Sequence, residues 1–226
     1  MRVLFIGNSH TYFNDMPELF ARRCFELTGE KPYVTMLAYP GRSFEWHYKE
    51  FTSCRFQLMY GGYDFCVLQQ QGHPFPGEET TFEYGKKLTA MCRDNGVTPV
   101  IYMPWTESDN LDNIGRVSAC YRSLAAETGA LLAPVGEMFD RIARTRPGIN
   151  LYYTDGRHAS PEGDYLISLA IAAAVTGSTD FSNVSDTAIN FDLPDGSKIV
   201  SPGQGDVTLP PETAEILRET VRDGMR

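Results

Sequence analysis

Five short apolar runs, each closing in a polar turn and each separated from the next by a helical pattern, leave this chain very few folds to choose from. They span residues 2–6, 32–38, 65–68, 98–103 and 130–135. Runs so short and so continuously apolar suit strands buried on both faces, as in a parallel sheet. Between them apolar residues return at helical spacing. Leu19, Phe20, Cys24, Phe25 and Leu27 follow the first run, with Asn14 or Asp15 as cap and Pro17 in the first turn. A stretch from Phe44 carries Trp46, His47, Tyr48 and Phe51. Residues 80–95 place Leu88, Met91 and Cys92 inward and close at Gly96, and residues 110–128 close at Gly129. This alternation implies βαβ units, a five-stranded parallel sheet with helices on both faces, and a ligand site at the strands' carboxyl ends.

No repeat or linker interrupts the pattern, so a single domain over residues 1–226 is expected. Its core covers about 1–176. From 177 to about 209 the chain turns to Ser, Asp, Asn, Pro and Gly, which reads as irregular structure with short extended pieces. A last helix follows from Pro211 with Ala214, Ile216, Leu217 and Val221 on its apolar side.

The formal charge of −9 argues against a nucleic-acid partner, which selects a basic face. No apolar run approaches the ~18 residues of a membrane span, so no membrane partner is expected. The five cysteines, 24, 54, 66, 92 and 120, are odd in number and lack a C-x-x-C pair, and they read as buried free thiols in a reducing compartment. With no signal-peptide pattern before the first strand, cytoplasmic residence is the expectation.

Two stretches carry chemistry. The first strand ends in Gly7-Asn8-Ser9-His10 and leads into a helix, so Ser9 sits where a strand's carboxyl end meets a helix amino end, a position suited to developing negative charge. By itself Gly-Asn-Ser is also ordinary turn chemistry. The second stretch is Asp155-Gly156-Arg157-His158, just before Ser160-Pro161, which opens a helix. A carboxylate and an imidazole three residues apart in one loop can hydrogen-bond, holding Nδ1–H and leaving Nε2 free to accept a proton from a serine. An elbow of the Gly-x-Ser-x-Gly type is absent, since Thr11 stands where its second glycine would be.

Taken together, Gly7-Asn8-Ser9 after the first strand and Asp155-x-x-His158 near the end of the core resemble the SGNH, or GDSL-like, hydrolase family. The resemblance covers roughly residues 1–176. It implies a flavodoxin-like three-layer α/β/α sandwich and a catalytic triad of Ser9, His158 and Asp155. It further implies an oxyanion hole from the Ser9 and Gly41 amides with a side-chain amide after the third strand. There the chain departs from the family's Gly-x-Asn-Asp and carries Gln69-Gln70-Gln71-Gly72, similar to a subgroup with a Leu-Gln-x-Gln signature. Gln71 would be the donor and Gln69 the fallback, while Gln70, on the opposite side of an extended strand, should be replaceable.

The function expected from this is a serine esterase for small acyl esters, with acetyl preferred and the substrate a small molecule or a carbohydrate ester. A thioesterase or lysophospholipase reading uses the same triad. A flavodoxin-like binding module without chemistry is the alternative of another class. His10, Gln69, His73 and Trp105 are candidate substrate contacts at the rim, and Trp46 is a further aromatic there that could stack on a sugar ring. No metal site and no cofactor is expected, because the loose histidines lack ligand spacing.

Overall fold

In the computed structural model, which describes residues 1–193 and 195–226, the five apolar runs are strands. They are β1 (Arg2–Gly7), β2 (Tyr33–Ala38), β3 (Phe65–Gln69), β4 (Thr98–Tyr102) and β5 (Leu131–Ala133). All pair in parallel, in the order β2-β1-β3-β4-β5. This is the flavodoxin-like order, and its chain reversal lies between β1 and β3, where a crevice opens at the carboxyl ends. Val3 and Phe5 enter one core and Leu4 and Ile6 the other, all fully buried. A central strand covered on both faces has no position to spare for a polar side chain, which is why β1 reads as one apolar run.

The short helix α1 (Ser9–Tyr12) follows β1 directly. One face of the sheet is covered by α2 (Met16–Thr28), with α7 (Val135–Thr145), α8 (Pro161–Thr176) and α9 (Pro211–Gly224). The other carries α3 (Phe44–Glu50), α4 (Thr52–Tyr60), α5 (Glu78–Asp94) and α6 (Ile114–Thr128). Helix α8 is apolar nearly all round because it is buried nearly all round, between the sheet, α2 and α9. After α8 the chain forms an antiparallel pair, β6 (Thr187–Ile189) with β7 (Asp206–Thr208). Ala214, Leu217 and Val221 of α9 then close the core.

Two sequence expectations need correction. The stretch from Phe44 is two helices, because Phe51 takes a left-handed φ of 59° and breaks it. Neither Asn14 nor Asp15 caps α2 with its side chain. Both have left-handed backbone, φ 48° and 52°, and the Asn14 amide is engaged elsewhere. All five cysteines are buried and unpaired, and burial pushes Cys24 and Cys54 up to about 12, leaving them inert thiols. No helix among the described residues is long and apolar enough to cross a membrane.

Asp164, in the first turn of α8, is fully buried and accepts a hydrogen bond from Asn14 Nδ2 at 2.7 Å. Burial raises its pKa well above the ordinary carboxylate value, against the opposing Asn14 bond. A carboxyl kept protonated by the fold adds stability that is complete below its unfolded pKa and is lost as pH rises through its folded one. Asp164→Asn should therefore match the wild type in acid and surpass it as pH climbs, in thermal unfolding followed against pH. Parallel curves for the two proteins would show that Asp164 does not titrate with folding.

Candidate active site

The turn carrying Ser9 is built by its neighbours. A Cβ at Gly7 would collide with Thr11 Oγ1 and Gln69 Oε1, so only glycine fits there. Asn8 is buried and caps α1, accepting from the His10 amide at 3.0 Å through Oδ1, while its Nδ2 donates to Arg42 O at 2.9 Å. That second bond straps the loop after β2 to the turn of Ser9. His47 Nε2–H donates to Gly7 O at 2.7 Å from beneath. Ser9 itself remains partly exposed. Its amide lies in the first turn of α1, where N–H groups have no intrahelical acceptor.

Facing it is the loop before α8. His158 Nε2 lies 2.9 Å from Ser9 Oγ, across 149 residues of sequence, and His158 Nδ1 lies 2.5 Å from Asp155 Oδ2. Asp155 Oδ1 also accepts from the Arg157 and His158 amides, each at 2.9 Å. Partial burial pushes Asp155 up. The His158 side chain and the two amides outweigh it and bring the carboxyl down to about 2. The carboxylate therefore fixes the tautomer with hydrogen on Nδ1, so Nε2 is the acceptor for the Ser9 hydroxyl. Further bonds hold the loop rigid: Tyr153 N to His158 O at 2.8 Å, Ser108 N to Gly156 O at 3.0 Å and Trp105 Nε1 to Arg157 O at 2.9 Å.

On the other side of Ser9, Gly41 is exposed in a turn closed by Arg42 N to Tyr39 O at 3.1 Å, with a φ of 65° that favours glycine. Gly41 and the half-buried Gln71 line one open cavity of 510 Å³ together with Arg42, Trp46, Lys49 and Glu50. Gly41 and Gln71 thus border one cavity in the loops after β2 and β3, and the Asn8–Arg42 bond ties the first of these loops to the turn of Ser9.

The other glutamines do not border that cavity. Gln69 is completely buried, its Oε1 accepting from the Asn8 amide at 2.9 Å and from Thr11 Oγ1 at 3.0 Å, so it braces the turn of Ser9 and offers no surface to a ligand. Gln70 is also completely buried, and its Oε1 accepts from the Phe44 amide at 2.7 Å and the Gln71 amide at 2.9 Å. Gln70 thus faces away from the cavity, as the alternation predicts, but its place is structural and its loss is felt in stability. Gln70→Ala strands two backbone donors, of which the buried one, the Phe44 amide, costs about 1–3 kcal/mol. It should lower the urea midpoint clearly, and an unchanged midpoint would show that other groups take over those donors.

His10, His73 and Trp105 are likewise withdrawn from the rim. His10 and Trp105 are buried, and the His73 side chain is 4% exposed. Their rings form a packed cluster under His158: His10 lies 5.0 Å from Trp105, 4.9 Å from His73 and 5.0 Å from His158 between centroids. Trp105 stacks on Phe139 at 4.4 Å, and its only polar atom is used on the His158 loop. Burial, with the neighbouring His73 and His158, lowers the His10 pKa well below the usual histidine value, and burial lowers those of His47 and His73 as well. Among the described residues no cluster of three or more His, Cys, Asp or Glu is arranged to hold a metal ion. Two neighbours of the His158 loop have no counterpart in the sequence reading, Phe13, whose ring lies against His158 at 4.6 Å, and Asn14, which donates to Ala159 O at 3.0 Å. The only sequence hint was Asn14-Asp15, a pair that tolerates left-handed backbone.

The sequence matches no protein-family model and no curated protein. Among solved structures it is similar to a protein from Slackia heliotrinireducens assigned to the SGNH hydrolases, with 28% identity and a TM-score of 0.65, over 77% of this chain and 98% of that one. It is also similar to a DUF4886 family protein from Bacteroides uniformis, with 14% identity and a TM-score of 0.69, over 100% of this chain and 94% of that one. A catalytic serine-to-alanine variant of an acetylxylan esterase from Geobacillus stearothermophilus matches at 13% identity and a TM-score of 0.61, over 77% and 93%. The last two likenesses concern the fold.

Proposed function

We propose that this chain, which is SGNH-hydrolase-like, is a serine esterase that cleaves short acyl esters, acetyl foremost, from a polar alcohol such as a sugar. The observation that carries the reading is the relay from Asp155 through His158 to Ser9, with both links at hydrogen-bond length. Ser9 Oγ attacks the acyl carbon while His158 Nε2 takes its proton, and the imidazolium is held by the ionised Asp155. The same Nε2 returns the proton to the departing alcohol oxygen. Water then attacks the acyl-enzyme with His158 again as base, releasing the acid and freeing Ser9.

Charge building on the carbonyl oxygen is met by the amides of Ser9 and Gly41 and by Gln71 Nε2, which exchanges its long 3.5 Å bond to His73 O for the oxyanion. Preference for a short acyl group and a polar alcohol is supported by the cavity beside Gly41, where charged side chains surround one indole. It is supported too by the fold shared with the acetylxylan esterase.

Gln71 carries a prediction of its own. A donor that strengthens as charge moves to oxygen raises kcat more than it lowers KM. Gln71→Ala should lower kcat by about 10²–10³ with KM little changed, the scale for losing one such donor. Gln71→Asn should recover part of it. A silent Gln71→Ala would leave the oxyanion to the two backbone amides.

The test of the reading is a series of p-nitrophenyl esters from acetyl to decanoyl, with acetate release from a peracetylated sugar alongside. Turnover highest with acetyl and falling with chain length is expected. Turnover rising toward decanoyl would make the chain an acyl hydrolase of the lysophospholipase type, and no hydrolysis of any ester would return it to the class of binding modules.

A further inference from the structure

Beside the nucleophile three aromatic rings stand in a column. The His158 imidazole stacks on Phe13, 4.6 Å between centroids at 23°, and Phe13 stacks on Phe191 at 5.0 Å and 19°. Tyr153 meets Phe13 edge-on at 5.1 Å. Phe191 belongs to the segment that follows β6, beyond the βα core. Its backbone is pinned as well, since the Phe191 amide donates to Asn14 Oδ1 at 2.8 Å. Asn14 Nδ2 donates to Ala159 O, next to His158, at 3.0 Å. Two adjacent residues, Phe13 and Asn14, thus each grip both the His158 loop and the C-terminal segment, one through rings and one through amide bonds.

We propose that Phe191 is a positioning residue for His158, acting through Phe13, and that the segment after Gly177 thereby belongs to the active site. The inference rests on the reading of His158 as the base. Asp155 and Ser9 hold the imidazole at its two nitrogens, which leaves its tilt about the line joining them to the rings packed on it, His10 and Phe13. Phe13 against one face limits that tilt, and Phe191 keeps Phe13 from swinging away. The π-face of Phe13 also favours the imidazolium that forms as Ser9 attacks. Both effects act on the chemical step more than on substrate binding.

The test uses the full chain with Phe191 changed to Ala, Leu and Tyr, with p-nitrophenyl acetate as substrate and a fluorophosphonate titration to count competent sites. Phe191 is 37% exposed, so its truncation should leave the fold standing. Per titrated site, Phe191→Ala should lose about tenfold in kcat with KM little changed. Phe191→Tyr should keep the wild-type rate, and Phe191→Leu should stay low. Wild-type kcat in Phe191→Ala would overturn the proposal, as would Leu serving as well as Tyr, which would make Phe191 mere apolar cover. A change in KM alone would overturn it too, by making Phe191 a substrate contact. A wild-type protein that takes no label at Ser9 would sink the catalytic reading and this inference with it. A labelled enzyme indifferent to Phe191 would sink only the inference.

Discussion

Ser9→Ala should remove essentially all ester hydrolysis, lowering kcat by about 10⁴–10⁶, the range seen when a triad nucleophile is deleted. The hydroxyl hydrogen-bonds to His158 Nε2, and its partly exposed side chain fills no core space. Gly7, Asn8 and Gln69 shape the turn without it, so thermal unfolding should shift little. The residual rate would be what the oxyanion donors and proximity supply. Measured with p-nitrophenyl acetate, retained turnover within tenfold of wild type would remove Ser9 from the role of nucleophile.

His158→Ala should be as damaging, and the double variant with Ser9→Ala should be no worse than either alone, because the pair acts as a unit. The rate itself should carry the histidine's signature. The chain has four histidines, and burial holds His10, His47 and His73 toward the neutral form. Asp155, brought down to about 2, is already a carboxylate through the working range. The acid limb of kcat/KM should therefore rise with pH through a single ionisation, as a mechanism with one histidine base requires. Steady-state rates across buffered pH test this, and a rate independent of pH over the whole acid to neutral range would exclude a histidine base.

The parts of this molecule legible in its sequence are those governed by local rules. Unbroken apolar runs mark strands buried on both faces, and Ser160-Pro161 marks a helix start because an Ncap hydroxyl and an N1 proline satisfy the same local geometry. Asp155 and His158 share a loop and so could be paired on spacing alone. The glutamines were not legible because the alternation argument ends where the strand ends. β3 stops at Gln69, and beyond it the next two side chains follow their own hydrogen-bond partners: Gln70 turns to the start of α3, and Gln71, at the edge of the cavity, to His73 O.

The sequence places Trp105 and His10 at the rim for a related reason. Position after a strand predicts the end of the sheet, but whether a ring there faces solvent or the interior depends on Phe139 and the His158 loop, which arrive from elsewhere in the chain. The contact of Phe191 with Phe13 spans nearly the whole sequence and has no local signature, since nothing near Phe191 marks a catalytic neighbourhood.

The central claim is that Ser9 is an activated nucleophile, and fluorophosphonate labelling of the whole chain followed by intact mass and peptide mapping tests it most directly. The account predicts one phosphonyl adduct per chain, on the peptide containing Gly7-Asn8-Ser9, formed by the wild type and lost in Ser9→Ala and His158→Ala. An unlabelled wild type, or an adduct on any other residue, would contradict it.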